Sequence, residues 1–319
     1  MTLGPPSTNR HATEAEFRTL VEPHLRALHV HCYRMLGSLH EAEDMVQEAL
    51  LRSWRRYDTF AHRSSFRAWL YGIATNACLD ALRRRRARLL PSDVVPPDDP
   101  SALPAAARTD ISWLEPYPDQ LLDVDPAEQL ELRESVRLAF VAAVQQLPPR
   151  QRAVLLLRDV LGWSAAEVAE LLDTSVASVT SALQRARARV ESVPPLERVS
   201  AEDERETVAR YIEAWNQADV AGLAALLKED VEMTMPPTPS WYRGRRAVAA
   251  FFTAHFQRFP AGRLRLVATR ANAAPALAVY DRVEPFALKV LELDRAGIRA
   301  INGFTDPSIF RFVDQGGLA

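Results

Sequence analysis

Arg83, Arg84, Arg85, Arg86 and Arg88 crowd one short stretch of the chain, with Trp69, Asn76 and Asp80 ahead of them. Steps of three, four and seven residues put Trp69, Asn76, Asp80, Arg83 and Arg84 on one face of a helix. Guanidinium groups meet phosphates, and an aromatic ring beside amides holds an unstacked base, so this face has the chemistry to capture a nucleic-acid strand. Trp69 could equally be plain core. Further along, Ser175, Ser178, Thr180, Ser181, Gln184, Arg185, Arg187 and Arg189 lie off the apolar stripe Val176, Val179, Leu183, Ala186 and Val190. Short polar groups at the start of a helix reach base edges, and arginines near its end meet phosphates. The bland alternative for this second set is the solvated face of a helical bundle.

Helices must position both sets. Phe17, Leu20, Val21, Leu25, Leu28, Cys32 and Leu36 predict one amphipathic helix that Gly37 stops, and Ser38 with Glu41 predicts the cap of the next. A turn at Tyr57 to Ser65 precedes the helix that ends in the arginine block. Asp125, Pro126 and Glu128 predict a helix to about Gln146, followed by one over Pro149 to Leu161. Ser164 and Glu167 predict a short helix to Leu172, and the last helix runs from Ser175 to Glu191 in the spacing of a helix-turn-helix.

Residues 91–124 are rich in proline and aspartate, and a second break falls at Val193, Pro194 and Pro195. The expected division is a flexible tail over 1–12, helical units over 13–90 and 125–193, an acidic proline-rich linker over 91–124, and a mixed α+β unit over 201–314. In the linker Asp93, Asp98, Asp99, Asp110, Glu115, Asp119 and Asp123 face Arg108 alone, while ISWLEPYPDQLL is apolar enough to dock on a folded surface.

The formal charge of -2 hides the basic block, and Lys228 and Lys289 are the only lysines. An apolar content of 48% argues against a chain disordered throughout. No apolar run approaches the roughly 18 residues of a membrane span, so the expected location is the cytoplasm, with no membrane partner. Cys32 and Cys78 read as core thiols, and neither they nor His29 and His31 have metal-ligand spacing. No cofactor or metal is expected.

EAEDMVQEALLRSWRRYDTF with FRAWLYGIATNACLDALRRRR resembles region 2 of the extracytoplasmic-function group of sigma-70 RNA polymerase sigma factors. PPRQRAVLLLRDVLGWSAAEVAELLDTSVASVTSALQRARARV resembles region 4 of the same group. The resemblance implies partners, namely the largest and second-largest subunits of core RNA polymerase and promoter DNA. It implies that Asp44, Gln47, Glu48, Leu50 and Trp54 grip a coiled coil of the largest subunit. Ser64, Trp69, Asn76, Asp80, Arg83 and Arg84 would meet the minus-ten element. Ser175, Ser178, Thr180, Ser181, Gln184, Arg185 and Arg187 would read the minus-35 element. Members often carry basic residues where this chain has Thr180 and Ala182, which leaves the start of its recognition helix neutral. The linker would thread the polymerase cleft.

Residues 204 to 313, with YIEAWNQADVAGLAALLKEDVEM and WYRGRRAVAAFF, resemble the SnoaL-like branch of the nuclear-transport-factor-2-like superfamily. Helices over Glu204 to Ala218, Val220 to Leu227 and Arg245 to Phe259 are expected. Strands are expected at Leu264 to Thr269, Ala276 to Tyr280, Phe286 to Leu293 and Ile298 to Phe304, helices first and antiparallel strands after. The implied fold is a cone whose pocket is lined by Trp215, Trp241, Tyr242, Phe252, His255, Tyr280 and Phe304. Such a pocket serves a small-molecule ligand, a reaction or a dimer contact. Asp230, Glu232, His255 and Asp281 are the available bases, and none sits in an identifying motif, so catalysis is set behind regulation and the chain is not expected to be an enzyme. Two rivals stand beside the sigma-factor reading: a polyketide-cyclase or isomerase-like enzyme fused to a DNA-binding segment, and a ligand-responsive helix-turn-helix regulator.

Overall fold

Proline decides the first departure from the expected elements. Pro23 has no N–H to give, so the long amphipathic run divides into α1 (Glu14–Val21) and α2 (Leu25–Leu36) around a 3-10 turn, and Leu20 lies 41% exposed instead of inside. The structure, a computed structural model, describes residues 14–60, 65–84, 87–100, 104–122, 135–190 and 199–312. Ser64, Arg85, Arg86, Asp123, the Asp125 cap, the break at Val193 and the tail over 1–12 lie outside the described residues.

Gly37 ends α2 at a φ of +67°, a left-handed turn that glycine adopts without steric cost. Ser38 then caps α3 (Leu39–Arg56), its hydroxyl accepting from the Glu41 N–H at 3.1 Å. Ser65 caps α4 (Phe66–Leu82) in the same way. In the second helical unit α5 (Leu138–Gln145) follows a bend at Arg137, so the expected helix to Gln146 is interrupted there. Next come α6 (Pro149–Leu155), a π turn over Leu156–Val160, α7 (Ala165–Leu171) and α8 (Val176–Val190). Both bonds of the Ser164–Glu167 capping box are present. Val179, Leu183 and Ala186 form the buried stripe of α8, whereas Val176, expected within it, stands 48% exposed in the first turn.

The third unit lays α9 (Ala201–Asn216), α10 (Val220–Ala225) and α11 (Arg245–Arg258) against one face of a sheet ordered β2-β1-β6-β5-β4-β3. Strands β3 (Leu264–Ala271), β4 (Ala274–Asp281), β5 (Glu284–Asp294) and β6 (Gly297–Phe304) match the expected runs and extend them. The order of elements needs correction. β1 (Leu227–Met235) and β2 (Thr238–Arg243) form a hairpin ahead of α11, and β1 pairs with β6 in parallel. Consecutive charges at Lys228, Glu229 and Asp230 and the prolines at 236 and 237 hide the alternation that marks a strand.

Alternation along the sheet divides it into two apolar faces. Val231, Leu277, Leu291 and Ile301 look inward to Tyr211, Trp215 and Phe252. Ala276, Tyr280, Leu288 and Phe304 look outward and join one continuous core with Leu28 and Leu70 of the first helical unit and Leu155 and Leu183 of the second. From the linker, Trp113, Leu114 and Tyr117 are buried, so the expected docking of its apolar patch is met at these residues.

His31 ties stability to pH, as the lowered His29 and His255 also do. The Thr75 hydroxyl donates to the Tyr71 carbonyl at 2.8 Å and therefore accepts from His31 Nε2 at 2.9 Å, leaving the buried Nδ1 without a partner. Burial first, and Arg34 second, lower the ring to about 3 from its ordinary 6.5. The unfolded chain takes up this proton first, so stability is full above pH 6.5 and is lost as pH falls toward 3. Chemical denaturation should show a loss of about 1.4 kcal/mol per pH unit below about 6 from this ring. If His31→Gln lost stability as steeply between pH 7 and 5, another group would be responsible.

Candidate functional site

The arginine-ended face is present on α4. Asn76, Asp80, Arg83 and Arg84 are exposed, and Asp80 accepts from Arg52 of α3 at 3.0 Å and pairs with Arg83 at 3.3 Å. Trp69 is half-buried, its ring 5.0 Å from Phe60 and 5.6 Å from Phe66. A groove of about 540 Å³ between α3 and α4 brings Asp44 and Glu48 beside Asp80, Arg83 and Arg84, so two sets of residues kept apart in the sequence share one opening. On α3, Asp44 and Gln47 are exposed and Glu48 holds Arg52 at 2.7 Å. Leu50 leans on the core instead. Its neighbour Leu51 is the exposed leucine at 53%, beside Trp54 at 40%; the helical period that buries Ala49 and Ser53 turns Leu51 outward.

On α8, Ser175, Ser178, Thr180, Ser181, Gln184 and Arg185 are all exposed. Ser178 N–H donates to the Ser175 hydroxyl at 3.1 Å, which caps the helix. Arg187 grips Asp159 through two bonds, at 2.8 and 2.6 Å, and Arg189 meets Gln146, so these two arginines brace the fold.

The linker joins the folded parts. Glu115, one of the acids of the linker and part of its docking segment, accepts from the Ser38 hydroxyl at 2.9 Å, the Leu39 N–H at 2.9 Å and Arg88 at 2.9 Å. Asp119 likewise accepts from the Ala273 N–H at 2.8 Å and pairs with Arg270. The two helical units also touch directly, through Gln145 to the Arg34 carbonyl at 3.0 Å and Arg152 to the Met35 carbonyl.

Asn272, at the β3–β4 turn with φ +55°, is a residue the sequence did not disclose. Its N–H donates to the Tyr117 carbonyl at 2.7 Å and its Oδ1 accepts from the Tyr117 N–H at 2.9 Å. Its Nδ2 donates to the Tyr33 hydroxyl at 2.9 Å and the Val136 carbonyl at 2.7 Å. One side chain thus bonds the first helical unit, the linker and the entry to the second. The signal available was an asparagine in a short break between two apolar runs, ANAAP, a common turn composition.

The inward face of the sheet encloses a cavity of about 250 Å³. Of the seven residues expected to line it, Tyr242 and His255 do. Trp215 and Phe252 belong to the core behind it, while Tyr280 and Phe304 point through the opposite face into the helical core. Trp241 also sits elsewhere, its Nε1 donating to the Val95 carbonyl at 2.8 Å. Lys289 lines the cavity unforeseen, because its position within a strand gives no hint of which face it takes. The candidate bases Asp230, Glu232 and Asp281 are not among the lining residues; Asp281 pairs with Arg263 and Glu232 with Arg243.

Three stretches match family models: Sigma-70 region 2 over residues 20–88, Sigma-70 region 4 over residues 137–190 and a SnoaL-like domain over residues 208–314. The ECF RNA polymerase sigma factor SigG of Mycobacterium tuberculosis (strain ATCC 25618 / H37Rv) is 46% identical over 306 residues, covering 92% of this chain and 82% of SigG. SigJ of the same strain is 31% identical over 261 residues, covering 78% of this chain and 74% of SigJ. The crystal structure of Mycobacterium tuberculosis SigJ matches with a TM-score of 0.65 at 24% identity over 92% of this chain and 98% of that one, a likeness of fold. No helix among the described residues is long and apolar enough to cross a membrane.

Proposed function

The chain belongs to the extracytoplasmic-function (ECF) RNA polymerase sigma factors, and from that premise we propose how its parts divide the work and how the carboxy-terminal unit restrains them. As a sigma factor it binds core RNA polymerase and directs promoter recognition. On our reading the α3 surface with Asp44, Gln47, Glu48, Leu51 and Trp54 meets the polymerase, the α4 face meets the melted minus-ten strand, and the exposed start of α8 reads the minus-35 element. The SnoaL-like unit acts as a regulator, a transcription-factor part with no reaction of its own, and a small-molecule ligand in its cavity is the input.

The contact between the two helical units carries the regulatory reading. Elements named for positions ten and 35 lie about 25 base pairs apart, roughly 85 Å of duplex. Gln145 and Arg152 of the second unit touch backbone carbonyls of the first, and a Cβ at Gly72 of α4 would stand 2.7 Å from Leu171 of α7. Units this close cannot span both elements together, so the arrangement must open on the way to a promoter. The carboxy-terminal sheet and the linker share one core with both units and favour the closed form.

Dyes on cysteines replacing the exposed Arg67 and Glu170 test this, since Cys32 and Cys78 are buried. Energy transfer should be high in the free protein and fall when core polymerase is added. Unchanged transfer in a complex competent for run-off transcription would overturn the closed-form reading. A polymerase that ignored the protein, neither binding it nor gaining start sites, would overturn the division of work.

Arg185 is the arginine of α8 with no ion pair or hydrogen bond to other described residues. Arg185→Ala should weaken binding to duplex DNA about evenly across sequences and reduce the salt slope by about one. A slope equal to the wild type's would remove Arg185 from the phosphate contacts.

A further inference from the structure

The cavity in the SnoaL-like unit is a composite site. Met233, Tyr242, Phe251, Phe259 and Phe286 supply apolar wall, and Pro100 and Pro104 of the linker supply part of its boundary. The linker is held there by the edge strand: Asp98 N–H donates to the Trp241 carbonyl at 2.8 Å, and Ala105 N–H to the Ser240 hydroxyl at 2.8 Å. These two bonds hold the described linker residues just outside Pro100 and Pro104.

The charged groups of the cavity are of one sign. Lys289 Nζ lies 3.5 Å from the centre of the Trp215 ring and 5.8 Å from that of Tyr211, and the lining includes Arg258 and no carboxylate. His255 Nε2 is buried there without a partner, as is the Tyr211 hydroxyl behind Lys289. A half-buried cation with no carboxylate beside it is costly, and buried polar atoms left unpaired call for a partner. Burial alone holds the Lys289 ammonium down to about 7.

We propose that this cavity binds a small, largely apolar monocarboxylic acid, its carboxylate on Lys289 and its apolar body among the rings under the linker. The inference rests on the reading of the cavity as a ligand pocket and names the class of ligand. An anion supplies the missing counter-charge; a neutral molecule leaves the lysine uncompensated, and a cation is repelled by Lys289 and Arg258. The volume sets the size. An apolar cavity of about 150 Å³ accepts benzene, and drug-sized ligands occupy roughly 300 Å³ or more, so a one-ring acid with a short chain fits. Because the linker forms part of the wall, occupancy and linker position belong to one equilibrium.

Calorimetric titration of the full-length protein with 3-phenylpropanoate, 3-phenylpropanamide and 3-phenylpropylammonium tests the proposal. The acid should bind at least tenfold more tightly than the amide, and the ammonium should give no heat. Lys289→Met should abolish the preference for the acid while keeping the amide's affinity; should that variant fail to fold, Lys289→Gln serves in its place. Equal affinity for acid and amide, or a preference that survives loss of the lysine charge, would overturn the acid while leaving a ligand pocket standing. If none of the three bound, the pocket reading itself would fall, and the proposal with it.

Discussion

Replacing Asn272 by alanine is expected to open the molecule, raising its affinity for core polymerase while lowering its melting temperature by several degrees. The side chain makes three hydrogen bonds to three different parts of the chain, and Tyr33, Tyr117 and Val136 are all buried at the contact. Each bond contributes about 1 kcal/mol net, and leaving a buried partner unpaired costs more. The positive φ adds to this, because alanine in the left-handed region costs about 1 to 2 kcal/mol where asparagine is better tolerated. A loss of about 3 to 5 kcal/mol from the closed form alone shifts a two-state equilibrium by about two to four powers of ten. Energy transfer between dyed Arg67→Cys and Glu170→Cys positions should fall in the free variant. Asn272→Gly, which relieves the backbone and still removes the side chain, should give most of the same effect. Wild-type transfer and wild-type polymerase affinity in both variants would sink the idea that this residue clamps the closed form.

The second large effect is expected on α3. Trp54 is two-fifths exposed in a protein that otherwise buries most of its large rings, and Leu51 stands beside it. Exposed tryptophans at the centre of an interface commonly carry 2 kcal/mol or more of binding, about thirtyfold in affinity. Trp54→Ala should therefore weaken core binding by about that factor in a fluorescence titration. Its ring also lies 5.2 Å from Phe17, so some folding stability goes with it. Leu51→Ala separates the two effects, since it should reduce polymerase affinity with little change in the denaturation midpoint. Full affinity in both variants would remove this surface from the polymerase contact.

Short-range signals were legible and long-range ones were not. The caps at Ser38 and Ser164 and the stop at Gly37 depend on neighbours a few residues away, and these local rules located the helices that follow or end there. The exposed faces of α4 and α8 followed from helical periodicity, which fixes a face once the helix is fixed. Glu115, Asn272 and Lys289 could not be found that way. Their roles come from partners brought close by the fold: Ser38 and Arg88 for the first, Tyr33 and Val136 for the second, Trp215 for the third. The pocket list failed for a related reason. Aromatic type indicated burial correctly for Trp241, Tyr280 and Phe304, but a sheet with two buried faces gives no sequence signal for which side is which.

Glu115 has one more implication. Its carboxylate closes the amino end of α3, the same rod whose far end carries Trp54. Any path that draws the linker into the polymerase takes this acceptor from the Leu39 N–H and leaves the first turn to the Ser38 cap alone. If α3 seats on the polymerase and the linker threads it, the two events are coupled through a single carboxylate.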